Sequence, residues 1–339
     1  MKLVLHIGTH KTATTTIQKV LSKNRQSLIA RGLWYPAYSE VLPGIRDHYA
    51  HLDVAKGLMS ESKKLTPEAV EQFFKSLHDQ VRRMPRVETV LLSSEPFYRG
   101  RMPGRSPYWE SREVYISTLR QIIPFDEVEV ALVLRRQDDY LESLYNEHIK
   151  TTRYSKDIWS FLSDYRSRFE YRQQIELWVK YFPVLKVCTF EELVDTGNVT
   201  KAFLRAIGGP EDLVLEEAVE ESNVSLPIDL IEFKRLLNGS SLDRNELAEL
   251  VSILEAVAVA RGNDNSVRRS RLSADDRRKL LAEFSEDNDW INETYFARRS
   301  ESLFSSGIKE MPLLTPLDMK SFADITAEVM SSQLLLPKK

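Results

Sequence analysis

Residues 8–16 read GTHKTATTT, with a glycine, a lysine and five threonines inside nine positions. That composition suits the binding of a phosphate. Gly8 lets the chain turn. The backbone N–H groups of a helix's first turn have no partner within the helix, and the helix dipole adds partial positive charge there. Threonine is β-branched and disfavoured in a helix interior, so Thr14, Thr15 and Thr16 fit a first turn, where their hydroxyls cap the helix or donate to an anion. Lys11 brings a full positive charge into the turn. The cradle expected from these residue types comprises Gly8, Thr9, Lys11, Thr12, Ala13, Thr14 and Thr15. The N–H groups of residues 11–15 and the hydroxyls of Thr14 and Thr15 are its donors. A plain strand-to-helix turn with a threonine cap is the competing reading.

Other residues carry chemistry of their own. Arg135 follows the apolar run 128–134, and Ser143 lies eight positions further on. A guanidinium makes forked, charge-assisted hydrogen bonds to phosphate, although a lone basic pair such as Arg135 and Arg136 also reads as a solvated strand end. Ser93, Ser94 and Glu95 close a second apolar run. By itself, a carboxylate at a strand end caps a helix or pairs with a cation. His48 and His51 stand one helical turn apart on an expected helix, where a side chain that titrates near neutrality binds an acceptor or serves as an alternative base. No third ligand accompanies them, which argues against a metal site. Arg268, Arg269 and Arg271 read as a solvated charge run rather than an anion contact. Trp34 and Tyr35 read as core rather than as an adenine platform.

The order of residues in the first motif excludes the usual nucleoside triphosphatase loop. That loop, G-x-x-x-x-G-K-[ST], places Gly-Lys directly before its last hydroxyl residue, whereas Lys11 here precedes the hydroxyl run. The string from Lys11 to Thr15 resembles the Lys-Ser/Thr-Gly-Thr-Thr loop of PAPS-dependent sulfotransferases (PAPS is 3′-phosphoadenosine 5′-phosphosulfate). Arg135 and Ser143 resemble, in spacing and placement, the arginine and serine that hold the 3′-phosphate in that family. Glu95 is similar to the basic glutamate of the carbohydrate-acting members; others use a histidine. The resemblance covers about residues 1–195 and takes the form of the bacterial, P-loop members, with segments 171–182 and 187–193, and less distinctively residues 223–225, also similar.

The resemblance implies PAPS as co-substrate, 3′,5′-ADP as product and no metal. It further implies that Lys11 stabilises the leaving phosphate and that Glu95 deprotonates an acceptor hydroxyl, on a carbohydrate or glycoconjugate by family analogy. Ala13 departs from the pattern, since the family has glycine there. With a positive φ an alanine is strained at that position; in a helical conformation it is not. Two alternatives stay open at this point: a P-loop kinase of small metabolites, which needs ATP and Mg²⁺, and a non-catalytic nucleotide-binding relative.

These side chains must be carried by a rigid frame. Short apolar runs at residues 2–7, 89–94, 128–134 and 185–190 alternate with helical patterns at 14–32, 68–81, 113–123 and a segment with Leu141, Leu144, Tyr145 and His148 on one face, the signature of a parallel α/β sheet. Each motif then follows a strand at its carboxyl end, where open α/β sheets place ligands. Beyond about residue 194 strand signals vanish, and helical patterns occupy 226–237, 244–259, 274–284 and 290–298. The expected architecture is a three-layer α/β/α core with a central parallel sheet over residues 1–195, and a helical C-terminal part over residues 196–339.

Composition narrows the function classes. The 339 residues are 42% hydrophobic and 29% charged, an ordinary globular balance. A net charge of −3 gives no reason to expect nucleic-acid binding. Cys188 is the single cysteine, which excludes an internal disulfide and a Cys-based zinc site and fits a reducing compartment. The first residues lack the apolar core of a signal peptide, and no run of eighteen apolar residues occurs, so a cytoplasmic protein without integral membrane association is expected. Oligomeric state is not encoded in any of these features.

Overall fold

The computed structural model describes residues 1–104, 107–217, 226–262, 269–296, 302–304, 306–308 and 310–335. The chain runs through β1 (Lys2–His6), α1 (Thr14–Lys23), α2 (Arg25–Ile29), β2 (Leu33–Trp34), α3 (Tyr38–Val41), α4 (Leu52–Leu58) and α5 (Pro67–Val81). It continues with β3 (Thr89–Ser93), α6 (Pro96–Arg99), α7 (Tyr108–Ile122), β4 (Glu127–Leu134), α8 (Gln137–Thr151), α9 (Ile158–Asp164), α10 (Tyr171–Tyr181) and β5 (Val184–Thr189). After α11 (Phe190–Asp195) and α12 (Val199–Ala206), the described residues form α13 (Ile228–Asn238), α14 (Arg244–Ala260), α15 (Ala274–Glu283), α16 (Ser285–Ile291) and α17 (Met319–Leu335), with one isolated bridge between Ser270 and Leu313.

The expected α/β architecture is present. Five strands form one sheet in the order β2-β3-β1-β4-β5, and every neighbouring pair is parallel. His6 stands in register with Ser93 on one side and Ala131 on the other, so the carboxyl ends of β1, β3 and β4 share one edge. Crossovers leave β1 toward β3 on one side and β4 lies on the other, which makes that edge beside β1 the switch point of the sheet. Successive residues Leu3, Val4 and Leu5 in β1, and Val130 to Val133 in β4, are all buried, so the sheet is covered on both faces. One face packs Val4, Leu91, Ala131 and Val133 against Ile17 and Leu21 of α1 and Phe203 and Leu204 of α12. Each such side chain contributes about 1.5–3 kcal/mol through burial, so α1 is fixed firmly on the sheet.

Local details differ from the sequence expectation in several places. The single helix expected over 14–32 is two helices. Asn24 leaves helical geometry at φ −102° and ψ 17°, and its amide donates back to the Val20 carbonyl at 2.7 Å. The two-residue strand β2 was not foreseen. Residues 290–298 are not one helix: α16 ends at Ile291 and a π-helical turn spans Asn292–Phe296, with 297 and 298 outside the described residues.

The chain divides into two compact units that interleave in sequence. The first comprises residues 1–136, 170–219 and 286–306 and contains the sheet; the second comprises 137–169, 220–285 and 307–339. Within the second unit, Arg277 is buried and pairs with Asp138 at 2.7 Å, Asp139 at 3.0 Å and Glu142 at 2.5 Å. Arg271 belongs to the same interior: it bonds Glu232 at 2.6 Å and lies over the Tyr145 ring. The solvated reading of this charge run is therefore wrong for Arg271, because carboxylates far away in sequence surround it. Arg269 is exposed, and Arg268 and residues 223–225 lie outside the described residues.

Candidate functional site

The loop from β1 into α1 is shaped by its own backbone and by β4. Thr9 donates to the Val133 carbonyl through both its N–H and its hydroxyl, each at 3.1 Å, and Thr12 Oγ1 donates to the Thr9 carbonyl at 2.6 Å. The hydroxyls of Thr9 and Thr12 thus strap the loop down rather than face out of it. Lys11 and Ala13 both lie in the left-handed region, at φ 68° and 54°. Left-handed residues alternating in this way curve successive N–H groups toward one concave side, a geometry that favours anions. Ala13 occupies the N-cap position of α1 without a side-chain cap bond. By contrast α5, α9, α11, α14 and α15 all begin on a capping side chain. Three threonines stand at the start of α1, yet Thr14 and Thr15 cap nothing among the described residues. Gly8 is required here, since a Cβ on it would lie 2.8 Å from His6 Nε2.

Arg135 is brought to this loop. Its guanidinium donates to the Lys11 carbonyl at 2.7 Å and stacks on Phe190, while its own carbonyl accepts from the Tyr171 hydroxyl at 2.7 Å. One charged side chain from the end of β4 therefore meets the lysine loop from the end of β1. Ser143 lies half-buried on α8, in the second unit.

Glu95 follows β3 and is 8% exposed. It stands at the N-cap of α6 without capping it, so the bland role of a helix cap does not apply. Its Oε2 accepts from Gln18 Nε2 at 3.3 Å, and the same amide donates to Ser93 Oγ at 3.0 Å. Ser93 Oγ in turn meets His6 Nδ1 at 2.8 Å. Burial drives the His6 pKa down to about 3, which keeps its ring neutral.

His48 and His51 are not on a helix; α4 starts at Leu52, after them. His51 is buried and both its ring nitrogens are engaged: Nδ1 accepts from the Ser93 N–H at 3.1 Å and Nε2 bonds the Pro36 carbonyl at 3.0 Å. Burial pushes its pKa down to about 3. His51 thus clamps its segment to the end of β3 beside Glu95, which fits a structural part better than substrate contact. His48 is half-buried; its Nδ1 accepts from the Ala50 N–H at 3.0 Å and its ring lies 4.1 Å from that of Tyr49. Trp34 and Tyr35 are core residues, 2% and 0% exposed. Among the described residues no group of three or more His, Cys, Asp or Glu side chains gathers to hold a metal, and no helix is long and apolar enough to cross a membrane.

With this geometry in hand, the chain was compared with known proteins. No family model matches it. An uncharacterized protein of Archaeoglobus fulgidus is 26% identical over 200 residues, 56% of this chain. The match spans about half, 52%, of that relative's length. Among solved structures, a sulfotransferase from Alicyclobacillus acidocaldarius aligns with 76% of this chain and 92% of its own, at 15% identity and a TM-score of 0.37.

Gln18 and His6 were missed by sequence reasoning. The signal for Gln18 is a polar residue between Ile17 and Val20 on the buried face of α1. The signal for His6 is a histidine closing an otherwise apolar strand. Both are polar groups in apolar patterns, which must find partners when buried.

Proposed function

We propose that this chain transfers a sulfuryl group from PAPS to an acceptor hydroxyl. The observation that carries the reading is the Arg135 guanidinium bonded to the Lys11 carbonyl. It joins two motifs 124 residues apart in sequence at one concave loop of left-handed backbone and uncapped helix N–H groups. In this reading the loop and the hydroxyls of Thr14 and Thr15 hold the 5′-phosphate of the donor, and Arg135 holds the 3′-phosphate. Glu95 accepts the proton of the acceptor hydroxyl as that oxygen bonds to sulfur. The bond between sulfur and the bridging phosphate oxygen breaks, its electron pair stays on the phosphate, and 3′,5′-ADP leaves. Lys11 offsets the charge that develops there. Positioning and charge stabilisation carry such transfers, so the reaction needs no metal in this reading.

The acceptor in this proposal is a carbohydrate or glycoconjugate met in the cytoplasm, with the segment around His48 on the acceptor side. The test is thermal stabilisation by 3′,5′-ADP against ATP–Mg²⁺. A ligand at a hundred times its dissociation constant adds about 2.7 kcal/mol. Stabilisation by ATP–Mg²⁺ alone refutes the proposal in favour of a kinase. Binding of 3′,5′-ADP with no transfer from radiolabelled PAPS to a broad hydroxyl panel leaves the non-catalytic relative.

A further inference from the structure

The geometry points to Gln18 as a positioning residue for Glu95, itself oriented through Ser93 and His6. The inference rests on the reading of Glu95 as the base. All four side chains are buried: His6 and Ser93 at 0% exposure, Gln18 at 1% and Glu95 at 8%. The Gln18 amide nitrogen carries two protons, and both are engaged, one on Ser93 Oγ and one on Glu95 Oε2. Ser93 Oγ accepts from Gln18 and is also bonded to His6 Nδ1. Ser93 Oγ is thus held between His6 and Gln18, and a Gln18 amide that faces a carboxylate has one orientation, its nitrogen toward Glu95.

The consequence falls on Glu95. Its Oε2 is bound from α1, and Oε1, which makes no hydrogen bond among the described residues, is the oxygen left to take a proton. Gln18 stands four residues after Thr14 on the helix whose first turn forms the cradle. One helix therefore carries both the donors for the anion and the amide that aims the base. A polar side chain satisfied only for the sake of burial would show the same bonds, so the test must separate the two roles.

Gln18→Met keeps the volume and removes the donors. The assay is release of 3′,5′-ADP from PAPS, in water and with methyl glycosides as probe acceptors. Gln18→Met is expected to lower kcat by about 10–100-fold, the usual effect of losing a group that orients a reacting side chain, with KM for PAPS within about twofold. Added to Glu95→Gln, it is expected to change kcat by less than about twofold, because it acts through Glu95. Ser93→Ala gives a smaller loss with the same non-additivity, and it carries the cycle if Gln18→Met does not fold. Losses that multiply in the double variant, an unchanged kcat in Gln18→Met, or loss of stabilisation by 3′,5′-ADP in a folded Gln18→Met would each overturn the assignment while leaving the transfer reading intact. A wild type that binds 3′,5′-ADP yet consumes no PAPS overturns both.

Discussion

Replacing Ala13 by glycine should stabilise the protein, against the usual direction for that substitution. Ala13 lies at φ 54° and ψ 20°, in the left-handed region. An alanine there costs about 1–2 kcal/mol through the close approach of its Cβ to the following carbonyl oxygen. Glycine removes that cost but widens the unfolded ensemble, which returns about 0.4–1 kcal/mol. The net gain is about 0.5–1 kcal/mol, or about 1–4 °C in Tm for a unit of this size. Urea unfolding is the cleaner assay, because a shift in midpoint at constant m-value isolates stability from compactness. Trp34 is buried in the sheet unit, as is Trp178, and both report its unfolding by fluorescence. Ala13→Val is the converse control: a β-branched side chain is strongly disfavoured at this backbone conformation and should lose stability. A glycine variant less stable than wild type would refute the left-handed assignment, and with it the concave loop on which the functional reading depends.

Three further outcomes are expected. Lys11→Ala should keep the fold and lower PAPS turnover by about 10²–10³-fold, the effect of removing one charge-stabilising donor; unchanged turnover removes Lys11 from the mechanism. Arg135→Lys keeps the charge but loses the fork and the stacking on Phe190, so affinity for 3′,5′-ADP, read by calorimetry, should fall about tenfold or more. The third concerns pH. His6 and His51 are held neutral in the fold, with pKa values lowered from 6.5 to about 3. Below pH 6.5 the unfolded chain binds protons that the folded one refuses, so stability is complete above that pH and declines as pH falls toward 3. At pH 5 the loss is about 2 kcal/mol per histidine. His51→Gln should flatten part of this slope in urea melts at pH 8 and pH 5, and a flat wild-type profile between those values would contradict the burial of both rings.

How much of this could be read in the sequence depends on the range of the interactions concerned. The strand, glycine turn and helix around Lys11 were legible because local chemistry decides them: an apolar run, a residue without Cβ, then helical spacing. The break at Asn24 was not, since a lone asparagine is tolerated in a helical pattern. Here its side-chain amide also donates to the Glu216 carbonyl and accepts from the Glu216 N–H, 192 residues away, each at 2.9 Å. The spacing of His48 and His51 looked helical, but the ring of His51 bonds the end of β3, and that tertiary contact overrides local preference. Arg271 looked solvated for the same reason, because nothing near it in sequence announces Glu232. The placement of three motifs on one sheet edge needed only parallel strands, whereas the bond from Arg135 to the Lys11 carbonyl is visible only in three dimensions.

The loop's strain and its restraints belong together. Two left-handed non-glycine residues within three positions, Lys11 and Ala13, disfavour this conformation by about 2–4 kcal/mol in all. A free loop would relax. This one is held by two bonds from Thr9 to β4, one from Thr12 back to Thr9, and the Arg135 guanidinium on the Lys11 carbonyl. At about 1 kcal/mol net for each neutral bond and somewhat more for a charged donor, those four contacts offset the strain. The concave shape is therefore present before any anion arrives, so binding need not supply the ordering of the backbone. The departure at Ala13 then acts on stability rather than on the shape of the cradle, which is why glycine at that position should raise the melting temperature without reshaping what the loop can hold.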